Sequence, residues 1–189
     1  MFVNNVADDT LEKSWFVMRV TYQRELKAKE ILDKLGIESF VPTKRVRKTT
    51  KEGFKIWSTE SVIHNYIFIN TYKEKLNELK RYEIPWLRYV MKNRSEAQKQ
   101  PLIVPERQMQ SFIAIAGNEK EKIMYLDSEE VDLTCGDKVR ILSGPFEGAE
   151  GTFMKVQNRG GKRVVVKIEG IIAVATTTLP GSFVEKIEN

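Results

Sequence analysis

Apolar and polar positions along this chain follow two rhythms, one of period two and one near 3.6. Trp15-Phe16-Val17-Met18-Arg19-Val20 is a run of aromatic and β-branched residues broken at Thr21 to Gln23, which predicts a strand. From Arg24 to Leu35 the apolar positions Leu26, Ile31, Leu32 and Leu35, with Ala28 between, recur at helical spacing, and Gly36 stands where a helix-ending glycine belongs. Glu38 to Val46 returns to an extended pattern. Residues 61 to 69 are apolar in two directions at once. Read as one strand, they place Val62, His64, Tyr66 and Phe68 on one side and Ile63, Asn65, Ile67 and Ile69 on the other. One side can be core. The other needs a cover, and we assign that cover to a partner protein.

Lys73 to Tyr82 predicts a short helix with Leu76 and Leu79 inward, and Trp86 to Met91 another strand. Pro105 at a first helical position opens a third helix that ends at Gly117-Asn118. Together these predict an α+β sandwich, a mostly antiparallel sheet with helices on it. After about Leu133 only short strands are readable, at 138–142, 150–156, 163–168, 171–176 and 183–187, separated by Ser143-Gly144-Pro145, Asn158-Arg159-Gly160-Gly161, Gly170 and Pro180-Gly181. Five short strands with tight turns predict a small closed β-barrel. The expected organisation is a flexible tail at 1–12, a first domain at 13–118, an acidic linker at 119–132 in which Ile123 to Leu126 dock locally, and a second domain at 133–189.

Composition sharpens this picture in two ways. The 189 residues are 41% hydrophobic and 30% charged, an ordinary globular balance able to bury a core. The net charge of +5 is unevenly placed: residues 1–118 carry +7, 119–136 carry −4 and 137–189 carry +2. The positive field therefore belongs to the first domain, which favours a polyanion such as nucleic acid. Lys44, Arg45, Arg47, Lys48, Lys51 and Lys55 face Glu52 alone, and Gly53 lets that run turn back as a basic hairpin. Such a hairpin would meet nucleic acid through phosphate, without reading sequence.

Other chemistry finds little footing. A lone Cys135 forms no internal disulfide, the lone His64 builds no histidine-rich metal site, and no long apolar run or basic leader is present, so a soluble cytoplasmic protein is expected. No Ser/His/Asp set, phosphate-cradling glycine loop or metal-ligand cluster points to an enzyme, and no cofactor is expected.

Two sets of residues carry a family resemblance. Gly136-Asp137-Lys138-Val139-Arg140-Ile141-Leu142-Ser143-Gly144-Pro145-Phe146-Glu147-Gly148-Ala149-Glu150-Gly151 resembles the KOW motif of the NusG family and of several ribosomal proteins. Gly144 and Gly148 permit backbone angles closed to other residues, and Phe146 plugs the barrel end between them. Trp15-Phe16-Val17, Phe40-Val41-Pro42, Asn65-Tyr66-Ile67-Phe68-Ile69, Tyr89-Val90-Met91 and the helix from Pro105 fall in the order of the NusG N-terminal (NGN) domain. Arg19-Val20-Thr21-Tyr22, Gly36-Ile37-Glu38-Ser39-Phe40, Val62-Ile63-His64-Asn65 and Val104-Pro105-Glu106-Arg107-Gln108-Met109 are similar to the UpxY-type specialised paralogues. Those are antiterminators of long surface-polysaccharide operons.

The resemblance implies an NGN sandwich followed by an SH3-like KOW barrel, in a monomeric transcription elongation factor with an RfaH-like role. It implies a seat on the β′ clamp helices of RNA polymerase made by Ile63, Tyr66, Phe68, Tyr89, Val90 and Met91. It implies contact with the non-template DNA strand or nascent RNA through Thr21, Tyr22, Gln23, Arg24 and Lys27, beside the basic Lys44, Arg45, Arg47, Lys48 and Lys51. Phe146 and its exposed neighbours would meet a further partner, such as a small-subunit ribosomal protein, and a small antagonist protein would inhibit the factor. His64-Asn65 stands where NusG proper has Pro-Gly. Housekeeping NusG, and a KOW-containing ribosome-associated RNA-binding protein, are the alternatives.

Overall fold

A computed structural model describes residues 12–92, 99–129, 131–157 and 160–187. The expected tail at 1–12 falls almost wholly outside the described residues, as does half of the Asn158 to Gly161 turn. The chain divides into two compact units, one made of the chain up to Val41 with His64–Val104, the other of Pro42–Ile63 with the chain from Pro105 onward. This division groups the basic hairpin and the third helix with the C-terminal strands. The architecture is mixed α and β, with antiparallel sheets and three α-helices among the described residues.

The first unit is built on strand β1 (Ser14–Val20), which pairs antiparallel with β5 (Tyr66–Thr71) on one side and with β6 (Leu87–Tyr89) and β9 (Ile103–Val104) on the other. The edge strand β2 (Ser39–Phe40) adds to β5. Helix α1 (Glu25–Lys34) has Glu25 in its first turn and Lys34 in its last, each matched to the helix dipole there. It ends at Leu35, and Gly36 follows with a φ of +66°. Helix α2 (Lys73–Tyr82) turns Leu76 and Leu79 inward, as the spacing predicts.

Strand alternation divides this sheet into two faces. Phe16, Met18, Val20, Ile67, Ile69 and Leu87 share one core with Ala28 and Leu32 of α1 and Leu76 and Leu79 of α2. Burying each such side chain contributes roughly 1.5–3 kcal/mol, so this face alone can set the register. Trp15, Val17, Phe68 and Val104 occupy the opposite face and are also buried.

The residues expected as one strand from Ser61 to Ile69 are two structures. Ser61 ends a hairpin, Val62 to Asn65 form a bend, and only Tyr66 onward is strand. The break lies at Asn65, whose φ of +68° is left-handed and ends extended pairing. The strand expected at 86–91 is likewise split, into β6 and β7 (Met91–Lys92), the latter paired with β8 (Gln100–Pro101).

In the second unit, strands β3 (Thr43–Thr49) and β4 (Lys55–Ser61) form the expected basic hairpin through seven cross-strand pairs. Its turn closes with Gly53 at φ +87° and a 2.8 Å bond from the Thr50 N–H to the Phe54 carbonyl. Helix α3 (Glu106–Ala116) has Pro105 at its cap position, one residue earlier than the sequence suggests.

The C-terminal strands are β10 (Met124–Leu126), β11 (Asp137–Ile141), β12 (Glu150–Lys155), β13 (Lys162–Ile168), β14 (Ile172–Ala175) and β15 (Val184–Lys186). They form one antiparallel sheet in the order β10-β14-β13-β12-β11-β15. Five of these match the expected strands. The sixth, β10, comes from the segment expected to link the domains, because Met124 and Leu126 have an apolar cluster around Val165, Ala173 and Ala175 to pack against. The Tyr125 hydroxyl donates to the Ala116 carbonyl at 3.0 Å, and burial pushes its pKa up to about 12. Gly151 serves space: a Cβ there would lie 2.7 Å from the Val165 carbonyl oxygen of the neighbouring strand.

Candidate functional site

Three candidate surfaces emerge, and each differs from its sequence expectation in a definite way.

The first is the sheet of the first unit. Phe68 is fully buried, because it sits mid-sheet with Phe40 directly across on one side and Val17 on the other. It is a floor residue, and the expectation that it stands open to a partner is corrected. Tyr66, two residues nearer the strand start, is only half-buried. Tyr89 does not join it. Cross-strand pairing puts Tyr66 with Arg19 and Tyr89 with Met18, so the two tyrosines lie on opposite faces of the sheet. Tyr89 is held by the chain itself: its ring meets Phe16 edge-on at 6.1 Å, Lys80 lies 4.2 Å over it, and its hydroxyl donates to Asn77 Oδ1 at 3.0 Å. Burial first, and the nearby Glu74 carboxylate second, raise its pKa above the usual phenol value.

Alternation returns Val90 to the Tyr66 face, where its N–H donates to the Val17 carbonyl at 3.2 Å. The accessible end of that face therefore consists of Tyr66, Val90, Arg19 and Arg88. Arg19 pairs directly with both Tyr66 and Arg88 and is exposed, as is Arg88. The Arg88 guanidinium donates to the Leu87 carbonyl at 2.8 Å, which steadies a charge the sequence reading left unassigned. Met91 is exposed at 39%, and Ile63 is half-buried in the bend before β5, outside the strand.

The second surface is the loop from β1 into α1. Thr21, Tyr22, Gln23 and Arg24 are contiguous and exposed, with Tyr22 82% accessible, and Lys27 in the first turn of α1 is exposed as well. Tyr22 and Gln23 both hold left-handed backbone, φ +59° and +52°. For residues with a Cβ that conformation costs roughly 1–2 kcal/mol each, so neighbours must enforce it.

Asn65 does so. Its side-chain carbonyl accepts from the Gln23 N–H at 2.9 Å, its main-chain carbonyl accepts from the Val20 N–H at 2.8 Å, and its own N–H donates to Glu25 Oε2 at 3.1 Å. Glu25 is buried at the start of α1, and its second oxygen lies 3.5 Å from His64 Nδ1. The bend that interrupts the expected strand is thus the brace of the exposed loop. Arg24 stands 5.2 Å from the Tyr22 ring and 5.5 Å from the Trp86 ring, a cation shared between two aromatics. Glu25, His64 and Asn65 were missed as positioning residues. The signal for Asn65 was present, since asparagine is among the few residues that tolerate left-handed backbone.

The third surface is the β3–β4 hairpin. Lys44, Arg45, Arg47, Lys48 and Lys51 are all exposed there, and Lys48 is partnered by Glu60 at 2.8 Å. Glu52 at the tip accepts hydrogen bonds from its own backbone and from Thr50, which hold its carboxyl below the usual range and keep it ionised.

In the C-terminal sheet, Gly144 and Gly148 have φ of +92° and +83°, as the turn requires, but Phe146 between them is 1% exposed. It cannot be a rim contact. The tight turn, with the Gly148 N–H bonded to the Ile141 carbonyl and the Ala149 N–H to the Phe146 carbonyl, folds its ring inward. The accessible apolar residues nearby are Leu142 and Phe183, joined by a 2.8 Å backbone bond and 46% and 39% exposed.

Among the described residues no group of His, Cys, Asp or Glu could hold a metal ion, and no helix is long and apolar enough to cross a membrane. No curated protein matches the chain significantly. A family model described as "Transcription termination factor nusG" matches residues 13–113, more than half of the chain, spanning β1 to α3 and including the tyrosine surface, the braced loop and the hairpin. Members of that family are transcription factors that act during elongation and bind RNA polymerase, and this chain belongs to the NusG family.

Proposed function

We propose that this protein is an operon-specific antiterminator of the UpxY type, which rides on RNA polymerase and keeps it processive through a long surface-polysaccharide operon. The observation that carries the polymerase contact is the open end of the first sheet. Tyr66 and Val90 offer apolar area beside Arg19 and Arg88, over a floor closed by Phe68. An aromatic anchor with cations at its rim suits a helical partner carrying acidic residues, as the β′ clamp helices would. Phe68 supports Tyr66 from within, and Tyr89 stiffens the sheet from the other face.

The braced Tyr22 loop is proposed to meet the non-template strand. Tyr22 stacks on an unpaired base, Gln23 reads an edge, and Arg24 and Lys27 hold phosphate. The C-terminal sheet is proposed to be a KOW-type module whose partner surface is Leu142 with Phe183, suited to a small-subunit ribosomal protein. A small antagonist protein acting on the factor, a monomeric state and a cytoplasmic location complete the proposal.

The test is capture of core RNA polymerase by the full chain. Tyr66→Ala with Val90→Ser should leave the circular dichroism spectrum unchanged and weaken capture at least tenfold. Equal capture by wild type and double variant removes the site, and a wild-type chain that captures no polymerase removes the function.

A further inference from the structure

The two faces of the β3–β4 hairpin are chemically different, and the cross-strand register shows how. Residues directly opposite share a face, so Arg45 with Thr59, Arg47 with Trp57, and Thr49 with Lys55 lie on one side, and Lys44 with Glu60, Val46 with Ser58, and Lys48 with Ile56 lie on the other. The second side contains the only carboxylate of the two strands, pairs it with Lys48, and has Val46, Ser58 and Glu60 half-buried. The first side also holds Thr43 and Ser61, half-buried and buried at the base of the hairpin; its other six positions are all exposed and carry three cations with no acid. At its centre is Trp57, 59% exposed, with the guanidinium carbons of Arg45 and Arg47 at 5.2 and 5.3 Å from its ring.

We propose that this face is a binding platform for an unpaired DNA strand, with Trp57 stacking on a base and Arg45, Arg47 and Lys55 holding the flanking phosphates. The inference goes beyond a charge-only contact and rests on the proposed elongation role for its biological setting.

Charge alone would be served by lysines on any loop, and would not call for a large indole left in water. Every base has an apolar π-face, so an exposed indole set among cations is suited to a single strand. A duplex would offer the same phosphates with its bases already stacked. In the free protein the two guanidiniums shelter the ring. On binding they exchange that contact for charge-assisted hydrogen bonds to phosphate, and a base takes the vacated ring surface. Stacking and phosphate contacts are common to both sugars, and the choice of deoxyribose follows from the proposed elongation role. Three cations without a carboxylate complement any polyanion, and the exposed indole among them is what favours a chain of bases and phosphates over an acidic protein helix. Phe54, 71% exposed at the turn, extends the aromatic surface toward the tip.

Fluorescence anisotropy with a labelled twelve-nucleotide oligothymidylate and the full-length chain tests the proposal. Trp57→Ala should weaken binding about tenfold at fixed salt, and Trp57→Phe should restore most of it, since a phenyl ring still stacks. The salt dependence should be unchanged in Trp57→Ala, while Arg45→Ala with Arg47→Ala should make the log–log salt slope shallower by roughly 1.4, two phosphate contacts at 0.7 each. Unchanged affinity of Trp57→Ala overturns the stacking platform. Tighter binding of a duplex of equal length, or of oligouridylate, overturns the assignment to unpaired DNA. Polymerase capture, measured in parallel, keeps the two readings apart. Trp57→Ala should capture polymerase as wild type does even as it loses the oligonucleotide, whereas failure of the wild type to capture polymerase would count against the elongation role alone.

Discussion

The β1–β5 pair and the β3–β4 hairpin are built on the same antiparallel geometry, with six and seven cross-strand pairs respectively, yet they meet opposite fates. On β5 three consecutive residues, Ile67, Phe68 and Ile69, are fully buried, so both faces of the strand are interior. On the hairpin one face is exposed from Arg45 and Thr59 outward to the turn, and its largest side chain stands in solvent. Pairing supplies backbone hydrogen bonds equally to both. What separates them is whether side chains on each face have apolar neighbours to remove them from water. A strand buried on both faces anchors the fold and offers little to a partner, whereas a strand open on one face contributes little to stability and leaves its chemistry free for recognition.

The largest expected effect lies at the centre of the buried pair. Phe68→Ala should lose about 3–5 kcal/mol in urea unfolding, because the cavity opens between Val17 and Phe40 where nothing can collapse into it. Trp57→Ala on the hairpin should change stability by no more than roughly 0.5 kcal/mol. Similar losses for the two variants would break the comparison outright. Next comes Gly151→Ala in the C-terminal sheet, expected to lose about 1–3 kcal/mol, since the new methyl meets main chain that cannot rotate away. A neutral result would mean that β12 and β13 are free to separate, and that this sheet resembles the hairpin more than the β1–β5 pair.

Asn65→Ala should cost roughly 1–2 kcal/mol by removing the acceptor of the Gln23 N–H and placing a Cβ residue without a compensating bond in left-handed backbone. Asn65→Gly should recover the backbone part of that loss but not the hydrogen bond. Both should raise hydrogen exchange at Gln23, and protection equal to wild type would show that the loop holds itself. The smallest effect concerns Asp137, whose carboxylate lies 2.7 Å from Lys186 Nζ on the adjoining strand and is held below the usual acid range by that hydrogen bond and charge. A depressed acid adds stability that is present above its unfolded pKa of about 3.9 and disappears as pH falls through its folded value. The melting temperature of Asp137→Asn should sit slightly below wild type at neutral pH, by an amount typical of exposed ion pairs, and the two should converge in acid. A gap that widens as pH falls would reverse the assigned sign.

Much of the fold was legible because the relevant signals are local. The helical spacing of Leu76 and Leu79, the glycine after α1, the alternation through Trp15 to Val20 and the glycine turns of the C-terminal strands each depend on neighbours a few residues away. Three features were not legible, and all depend on which strands pair and in what register. β10 forms a strand only because β14 offers it an edge. Tyr66 and Tyr89 looked like one patch by family order, but the register of β1 sends them to opposite faces. Trp57 became a candidate only when pairing set it across from Arg47.

By itself, then, the sequence determined most of the element types, the family and the placement of charge, since propensity, spacing and ionisation are properties of short stretches of chain. The tertiary structure alone decided which aromatic residues are floor and which are surface. Exposure is a property of what lies on the far side of a strand, and register, which a single residue's slip would invert, is settled only when the strands meet.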